Sequence, residues 1–263
     1  MPVLVWIILF TLLGGALSAL AASLFLVASE SVRSRVLPHL VSFATGALLG
    51  AALLGLLPHA VEQVGISGTH GIGLTLLAGL LVFFVLEKMV LWRHCHQEVC
   101  EGHVPHVHAT DAHRDAASAS LILIGDGFHN VLDGVLIAAA FMTDVHLGVV
   151  TALAVIAHEI PQEVGDLAIL LQGGMSRLRA LTLNLLTSLT SVVGGVAAYF
   201  ALGPVQQALP YAISLAAASF LYIAVADLIP GLHRRVDAGS GVRQFVVIVL
   251  GVAAIYISHS LAH

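Results

Sequence analysis

The chain has 263 residues, of which 59% are hydrophobic and only 10% are charged, and its mean hydropathy is +1.00. Roughly a quarter of the residues in an ordinary soluble domain are charged, because a water-soluble core needs a polar coat. The composition therefore excludes an ordinary soluble protein, and the small net charge of −5 gives no sign of a nucleic-acid partner.

Apolar runs of roughly 20 residues are long enough to cross a lipid bilayer as helices. The sequence contains eight such runs, over 3–28, 38–63, 69–92, 119–142, 146–172, 176–200, 207–231 and 241–261. We therefore expect an all-α polytopic membrane protein with eight transmembrane helices, organised as one domain over 1–263. The first run lacks the basic region of a signal peptide and is predicted to be retained as the first span.

All ten Lys and Arg residues fall on one side of these predicted spans. They lie at or between the ends of spans 1–2, 3–4, 5–6 and 7–8 and comprise Arg33, Arg35, Lys88, Arg93, Arg114, Arg177, Arg179, Arg234, Arg235 and Arg243. By the positive-inside rule this side is the cytoplasm, so both termini are predicted to face outward. For a prokaryotic source the expected location is the plasma (inner) membrane.

Polar side chains gather in the fourth and fifth predicted spans. The fourth carries Asp126, His129, Asn130 and Asp133, and the fifth carries His158, Glu159, Gln162, Glu163 and Asp166. Side chains three or four residues apart share a helix face, which places His129 with Asp133 and His158 with Gln162. Two such faces turned toward each other would offer imidazole, carboxylate and amide ligands, a mix that suits Zn²⁺ and its first-row neighbours.

Ionisable side chains at membrane depth are expensive and usually serve an ion pathway. The alternative is that these polar groups only hydrogen-bond the helices to each other. One isolated polar residue would favour that alternative, whereas two strings of polar residues do not. Pro161 favours the pathway, because it removes a backbone donor inside the fifth span and frees a carbonyl that a cavity or a bound ion can satisfy. We therefore predict a metal pathway through the middle of these two spans.

Further polar residues are candidates for the same pathway, and most have a plainer alternative. Asp126 and Asp166 extend the two strings toward the predicted cytoplasmic side. For His59, at the end of the second span, the alternatives are an entrance ligand and a solvated helix end. Asn184 could supply oxygen behind the ligands or simply join helices, and Asp227 could be an exit carboxylate or a partner of nearby arginines.

The segment 93–118 is the one long connection, and it is predicted to be cytoplasmic. It contains the candidate ligands His94, Cys95, His96, Cys100, His103, His106 and His108. Clustered Cys and His indicate metal binding, but their spacing matches no closed structural zinc module, so a weak sensing site is expected. A solvated loop without bound metal is the alternative.

The polar strings resemble the motifs of the ZIP (Zrt/Irt-like) family of divalent metal transporters. His129-Asn130-x-x-Asp133-Gly134 is similar to the family's HNxxDG form. The string that begins at His158 is similar to the HExPHExGD motif of one subfamily, with Gln162 in place of the second His. Eight spans, outward termini and a His-rich loop between spans 3 and 4 agree with the same family.

The resemblance implies a transporter, not an enzyme, that moves Zn²⁺ into the cytosol, with Cd²⁺, Fe²⁺ and Mn²⁺ as further candidate cargo. It implies a binuclear site, in which one metal is bound by His129, Asp133, His158 and Gln162. The second metal would be bound by Asn130, Asp133, Glu159 and Gln162, and Glu163 matches the Glu of the motif. The resemblance also implies an elevator-like motion of spans 1, 4, 5 and 6, and a homodimer is compatible with it.

Three other functions remain as alternatives. His158-Glu159-Ile160-Pro161-Gln162 is one residue from the HExxH motif of zinc metalloproteases, but an intramembrane protease would need His at 162 and no proline between its ligands. A cation-efflux exporter uses similar His-x-x-x-Asp pairs on fewer spans. A membrane metal sensor without transport would explain the loop.

Overall fold

The computed structural model describes residues 1–94, 112–172, 174–233 and 238–260. Within these ranges the chain is all-helical and contains no strand, as the sequence predicts. The helices are α1 (Val3–Val27), α2 (Glu30–Gly50), α3 (Leu57–His94), α4 (Ala112–Thr143), α5 (Val145–Gln172), α6 (Arg177–Ser188), α7 (Thr190–Leu202), α8 (Leu209–Tyr222), α9 (Ile229–His233) and α10 (Ala238–Ser260). Short segments of other helical type join some of them: π-helical Ala51–Leu56, 3₁₀-helical Gly203–Ala208 and π-helical Ile223–Leu228.

Six helical stretches in the described ranges are long and apolar enough to cross a membrane. They are Val3–Phe25, Glu30–Leu86, Leu123–Thr143, Val145–Leu171, Arg177–His233 and Gly241–Ser258. Large apolar side chains such as Leu81, Val193 and Phe245 are exposed on their outer faces, where water would be unfavourable and lipid is a good solvent. The chain is therefore an integral, multi-pass membrane protein.

Two of these stretches are 57 residues long, and each contains a break where the sequence predicts a connection between two spans. In the first, Gly65 alone leaves helical geometry, with φ +65° and ψ −174°. Glycine adopts this left-handed region without the steric cost of a Cβ atom. In the second, Val205 interrupts the segment Gly203–Ala208 with φ −127° and ψ 56°.

The start of α2 differs from the sequence prediction, which began the second span at residue 38. The helix begins at Glu30, so that Pro38 lies inside it. The first residues of the helix are largely polar and include the exposed Arg35. The prediction marked only the apolar run, so it did not include them. The hydroxyl of Ser42 donates to the Pro38 carbonyl oxygen at 2.7 Å, a local bond that holds the turn after the proline.

The helices pack in two groups. The first packing group contains α1, α4, α5, α6 and α7, and the second contains α2, α3, α8 and α10. The two groups meet mainly where α5 packs on α2 and where α4 packs on α8. The shared core is rich in alanine and includes the fully buried Leu48, Phe141 and Phe220.

Glycines bring two helix pairs into backbone contact, one in each packing group. A Cβ atom on Gly46 of α2 would overlap the carbonyl oxygen of Ile248 in α10. A Cβ atom on Gly134 of α4 would overlap the carbonyl oxygen of Ser191 in α7. Small residues permit this approach, and close van der Waals contact is what drives helix association inside a bilayer.

Gly46→Ala should destabilise the protein, because the added methyl group would push α2 away from the backbone of α10. Gly73→Ala is the matched control, since a Cβ there would meet no described atom within 4 Å. Alanine favours a helix over glycine by about 1 kcal/mol, so the control should be neutral or stabilising. We expect Gly46→Ala to lower the free energy of unfolding in detergent by about 1–3 kcal/mol. Equal stabilities of the two variants would contradict the close contact.

Candidate metal centre

A short turn holds α4 and α5 side by side. Asp144 alone separates the two helices, and its carboxylate oxygen Oδ1 accepts hydrogen bonds from the backbone N–H groups of His146 at 2.8 Å and Leu147 at 3.0 Å. This cap satisfies free donors at the start of α5. His129 in α4 and His158 in α5 lie at similar distances from the turn, so the two polar strings face each other.

Four side chains from the two strings form the four-residue cluster His129, Asp133, His158 and Glu159. One ligand atom from each lies within 4.8 Å of all the others. His158 Nε2 lies 3.1 Å from Asp133 Oδ2 and 3.6 Å from Glu159 Oε1. His129 Nε2 lies 3.3 Å from His158 Nε2, 3.5 Å from Glu159 Oε1 and 3.7 Å from Asp133 Oδ2. Two imidazoles and two carboxylates therefore converge on one point.

The orientation of the His158 ring is set by its own helix. Its Nδ1 atom lies 3.1 Å from the carbonyl oxygen of Ala154, one turn earlier. A carbonyl oxygen can only accept, so the proton of the neutral ring is on Nδ1 and Nε2 presents a lone pair to the cluster. Such a bond behind the ligand atom is the usual way to orient a metal-binding histidine. The buried Phe220 of α8 packs edge-on against the same ring, with centroids 6.2 Å apart.

The carboxylates of the cluster are buried without the partners that buried carboxylates need. Besides the ring nitrogens of His129 and His158, no described residue donates a hydrogen bond to an oxygen of Asp133 or Glu159. The nearest ring nitrogen, His158 Nε2, offers them a lone pair in the neutral tautomer. Buried acceptors that converge in this way are unfavourable, and a cation between them would stabilise them. A divalent metal ion satisfies all four side chains at once, and this ligand set suits Zn²⁺.

The cluster has an open side. His129 is 24% exposed, whereas Asp133, His158 and Glu159 are 4% exposed or less. Of the four side chains, His129 is therefore the one that is reached from outside the bundle.

A second polar network lies one turn away, around Asp126. The side-chain amide of Asn130 donates to Asp126 Oδ1 at 3.0 Å, and the amide of Gln162 donates to the same oxygen at 3.5 Å. The other oxygen, Oδ2, is buried and accepts no hydrogen bond within the described part of the chain. The structure thus places Asn130 and Gln162 beside Asp126, next to the four-residue cluster. Asp166 lies on α5 one turn beyond Gln162 and is partly buried.

Glu163 belongs to a third network, between α5 and α6. Its carboxylate is fully buried and accepts hydrogen bonds from the amide of Asn184 and the hydroxyl of Ser188. Asn184 and Ser188 are themselves buried in α6. Glu163 is therefore directed toward α6, while Glu159, one turn earlier, is directed toward the cluster.

The remaining candidate residues lie apart from the cluster or outside the described residues. His59 is half-buried in α3, and its Nδ1 atom lies 2.9 Å from the carbonyl oxygen of Gly55. Asp227 lies in the π-helical segment Ile223–Leu228. His94 is the last residue of α3. The other loop candidates, Cys95, His96, Cys100, His103, His106 and His108, lie outside the described residues.

Two features of the site could not be found by sequence reasoning. The first is Phe220, an apolar residue in an apolar helix, which carries no signal until packing brings it against His158. The second is the Ala154 carbonyl, a backbone group present at every position. The spacing of four between Ala154 and His158 is the one available hint, because residues one turn apart are neighbours.

Known zinc transporters are similar to this chain in sequence. A family model described as "ZIP Zinc transporter" matches residues 91–259, a range that contains both ligand-bearing helices. The chain is similar to the zinc transporter zipt-7.1 of Caenorhabditis briggsae, at 30% identity over 96% of this chain and 79% of that protein. It is also similar to the zinc transporter ZIP13 of Pongo abelii, at 31% identity over 82% of this chain and 65% of that protein. For the zinc transporter ZIP5 of Homo sapiens, the identity is 33% over 76% of this chain and 47% of that protein.

Asp133→Asn should weaken metal binding while preserving the shape of the side chain, because a neutral amide replaces the buried charge. Loss of a group that only supports a ligand costs about 10–100-fold in affinity, so the loss here should be at least about tenfold. The measurement is equilibrium dialysis of the purified protein against Zn²⁺. The cysteines and histidines of the loop are present in the wild type and in the variant, so any Zn²⁺ that they bind contributes equally to both measurements. Unchanged affinity and stoichiometry would show that Asp133 does not contact the ion.

Proposed function

Because this chain belongs to the ZIP family of zinc transporters, we propose that it carries divalent metal ions across a membrane into the cytosol, with Zn²⁺ as the expected cargo. Imidazole and carboxylate ligands bind several divalent transition metals, and selectivity among them depends on geometry and availability. Cd²⁺, Fe²⁺ and Mn²⁺ are therefore proposed as competing cargo.

The observation that carries this proposal is the four-residue cluster in the middle of two apolar helices. Its carboxylates are buried with no partner in the described ranges other than the ring nitrogens of the two histidines, and His158 turns a lone pair toward them. In hydrocarbon surroundings this arrangement is unfavourable unless a cation is bound for part of the working cycle. We propose that His129, Asp133, His158 and Glu159 bind the transported ion.

The network around Asp126 is proposed as the next position on the pathway. Asp126 lies one turn before His129, on the side that the distribution of basic residues assigns to the cytoplasm. Its unpartnered oxygen supports contact with a passing cation. A second metal held by Asn130, Asp133, Glu159 and Gln162 remains part of the proposal, and rotation of the Gln162 amide would turn its oxygen toward that position.

Eight transmembrane crossings are proposed from the lengths of the helical stretches. An unbroken helix of 57 residues would be about 85 Å long at roughly 1.5 Å per residue, far more than a hydrocarbon layer of roughly 30 Å. Each long stretch has its break close to the middle, at Gly65 and at Gly203–Ala208. If each crosses twice, the six stretches give eight spans and place both termini outside.

An elevator-like motion is proposed from the two packing groups. The first packing group contains the helices of predicted spans 1, 4, 5 and 6 and carries every residue of the four-residue cluster. The second packing group touches the cluster through Phe220. Sliding of the first group along the second would carry the bound ion without breaking its ligand set.

The protease alternative is disfavoured by the position of Gln162. The HExxH mechanism needs a histidine there as the second zinc ligand, whereas the Gln162 amide donates to Asp126. The relatives reported above are named zinc transporters, which supports transport as the activity.

Transport is tested by Zn²⁺ uptake into proteoliposomes. His129→Ala, Asp133→Ala and His158→Ala should each reduce flux strongly, because each removes one of four converging ligands. Cd²⁺, Fe²⁺ and Mn²⁺ in competition rank the cargo. Glu30→Gln, an exposed change at the start of α2, is the control and should transport like the wild type. Near wild-type flux in the double variant His129→Ala/His158→Ala would refute the proposed site.

Gln162→Glu should tighten metal binding, because it places a second carboxylate beside Asp126 Oδ1, where the amide now lies at 3.5 Å. A divalent cation between two carboxylates binds more strongly and leaves more slowly, and transport requires that the ion can leave. We therefore expect a lower apparent KM for Zn²⁺, a lower maximal flux and altered discrimination against Mn²⁺ and Fe²⁺. Gln162→His should act in the same direction, and Gln162→Met is the uncharged control of similar length. An unchanged KM and metal ranking in both variants would remove Gln162 from the pathway.

A further inference from the structure

Glu163 has the residue type of a metal ligand, but its contacts point elsewhere. Both of its carboxylate oxygens accept hydrogen bonds from α6, one from Asn184 and one from Ser188. All three side chains are 1% exposed or less. Glu163 is also absent from the group of side chains that converge within 4.8 Å. Both oxygens of this carboxylate are therefore directed at donors of α6 and not at the four-residue cluster.

Helix α6 contacts α5 through polar as well as apolar side chains. Its buried residues are Ala180, Asn184 and Ser188, which follow one another at intervals of four and so form a single stripe. None of them is a large apolar side chain. Inside a bilayer, helix association comes from close packing and interhelical hydrogen bonds, because lipid removes the hydrophobic driving force. The bonds to Glu163 therefore add to the apolar contact in which Ala180 and Leu181 pack on α5, and together they attach α6 to α5.

The junction after α6 is tied to the other ligand-bearing helix. The hydroxyl of Thr190, at the start of α7, donates to the carbonyl oxygen of Gly127 in α4 at 2.8 Å. Gly127 lies two residues before His129. Glu163 thus connects α5 to α6, and the junction after α6 is bonded to α4 through Thr190. The segment formed by α6 and the start of α7 therefore bridges the two helices that carry the cluster.

α5 needs such support at this point because of Pro161. Proline lacks a backbone N–H, so the helix loses the bond from residue 161 to the carbonyl of Ala157. The weakened turn lies between Glu159, which faces the cluster, and Glu163, which faces α6. A contact just after the proline restores the constraint that the backbone has lost.

We propose that Glu163 is a positioning residue, which fixes α5 against α6 so that Glu159 and His158 keep their places in the four-residue cluster, and that it does not bind the transported ion. This inference rests on the proposed function. It separates two neighbouring glutamates of one motif into different roles: Glu159 contacts cargo, and Glu163 holds the helix that carries it.

The test exploits the different demands of a ligand and of a hydrogen-bond acceptor. Glu163→Gln should be mild, with an apparent KM within about threefold of wild type, because an amide still accepts from Ser188 and Asn184 can rotate to accept from it. Glu163→Leu leaves Asn184 and Ser188 without their partner and should raise the KM for Zn²⁺ at least about tenfold.

Asn184→Asp supplies the decisive comparison. It sets two buried carboxylates against each other and should reduce transport at least about tenfold. In the double variant Glu163→Gln/Asn184→Asp, the new amide at 163 donates to the new carboxylate at 184, and its carbonyl oxygen still accepts from Ser188. We expect the double variant to recover to within about threefold of the wild type, which is the mark of a direct pair in a double-mutant cycle.

Uptake is measured in proteoliposomes at matched amounts of inserted protein, and Zn²⁺ affinity and stoichiometry are measured on the same variants in detergent. A purely structural defect would lower the amount of inserted protein without moving the KM of what remains. The proposal is overturned if Glu163→Gln is as damaging as Glu163→Leu, if Glu163→Gln lowers the number of bound ions, or if it fails to rescue Asn184→Asp. If the wild type shows no flux, the proposed function fails, and the detergent affinities still decide whether Glu163 acts through Asn184.

Discussion

Polar groups placed inside apolar helices must find partners within the protein, because hydrocarbon offers neither hydrogen bonds nor ions. Most backbone groups meet this demand by forming helices, and every described residue of the core lies in or beside one. The side chains of α4, α5 and α6 meet it through three adjoining networks, centred on the four-residue cluster, on Asp126 and on Glu163. The arrangement of α4, α5 and α6 depends on which polar side chains of these networks form hydrogen bonds with each other.

The networks differ in whether their buried carboxylates have hydrogen-bond donors, and this difference suggests transport. Around Glu163, both carboxylate oxygens accept hydrogen bonds from α6, so this carboxylate can join two helices without a bound ion, although the side-chain oxygen of Asn184 has no hydrogen-bond partner among the described residues. Around Asp133 and Glu159, buried acceptors face a histidine lone pair, and the described residues supply no partner besides the two histidine rings. A buried carboxylate that accepts hydrogen bonds can join two helices permanently, whereas buried carboxylates without donors favour a cation that binds and is released.

Glycine contacts complement these networks by setting how closely the helices approach. Backbone contact at Gly134 places α4 directly against α7, next to the junction that carries Ser188 and Thr190. Gly46 does the same for α2 and α10 in the second packing group. The pairs α4–α7 and α2–α10 are thus close-packed, one in each packing group. In the proposed relative motion of the two groups, each of these pairs is expected to move as a unit.

The sequence by itself determined the helical class, the approximate location of the apolar helices and the identity of the polar strings. These properties depend on local composition and on the helical repeat, which are visible along the chain. From two short motifs on neighbouring helices, the sequence predicted that His129, Asp133 and His158 would face each other together with Gln162, whereas in the structure Glu159 completes the four-residue cluster. Only the tertiary structure decided that Gln162 donates to Asp126, that Glu163 faces α6 and that Phe220 packs on His158. Residues adjacent in one motif point toward different helices, and the direction of each depends on which neighbour packs there, which local spacing does not encode.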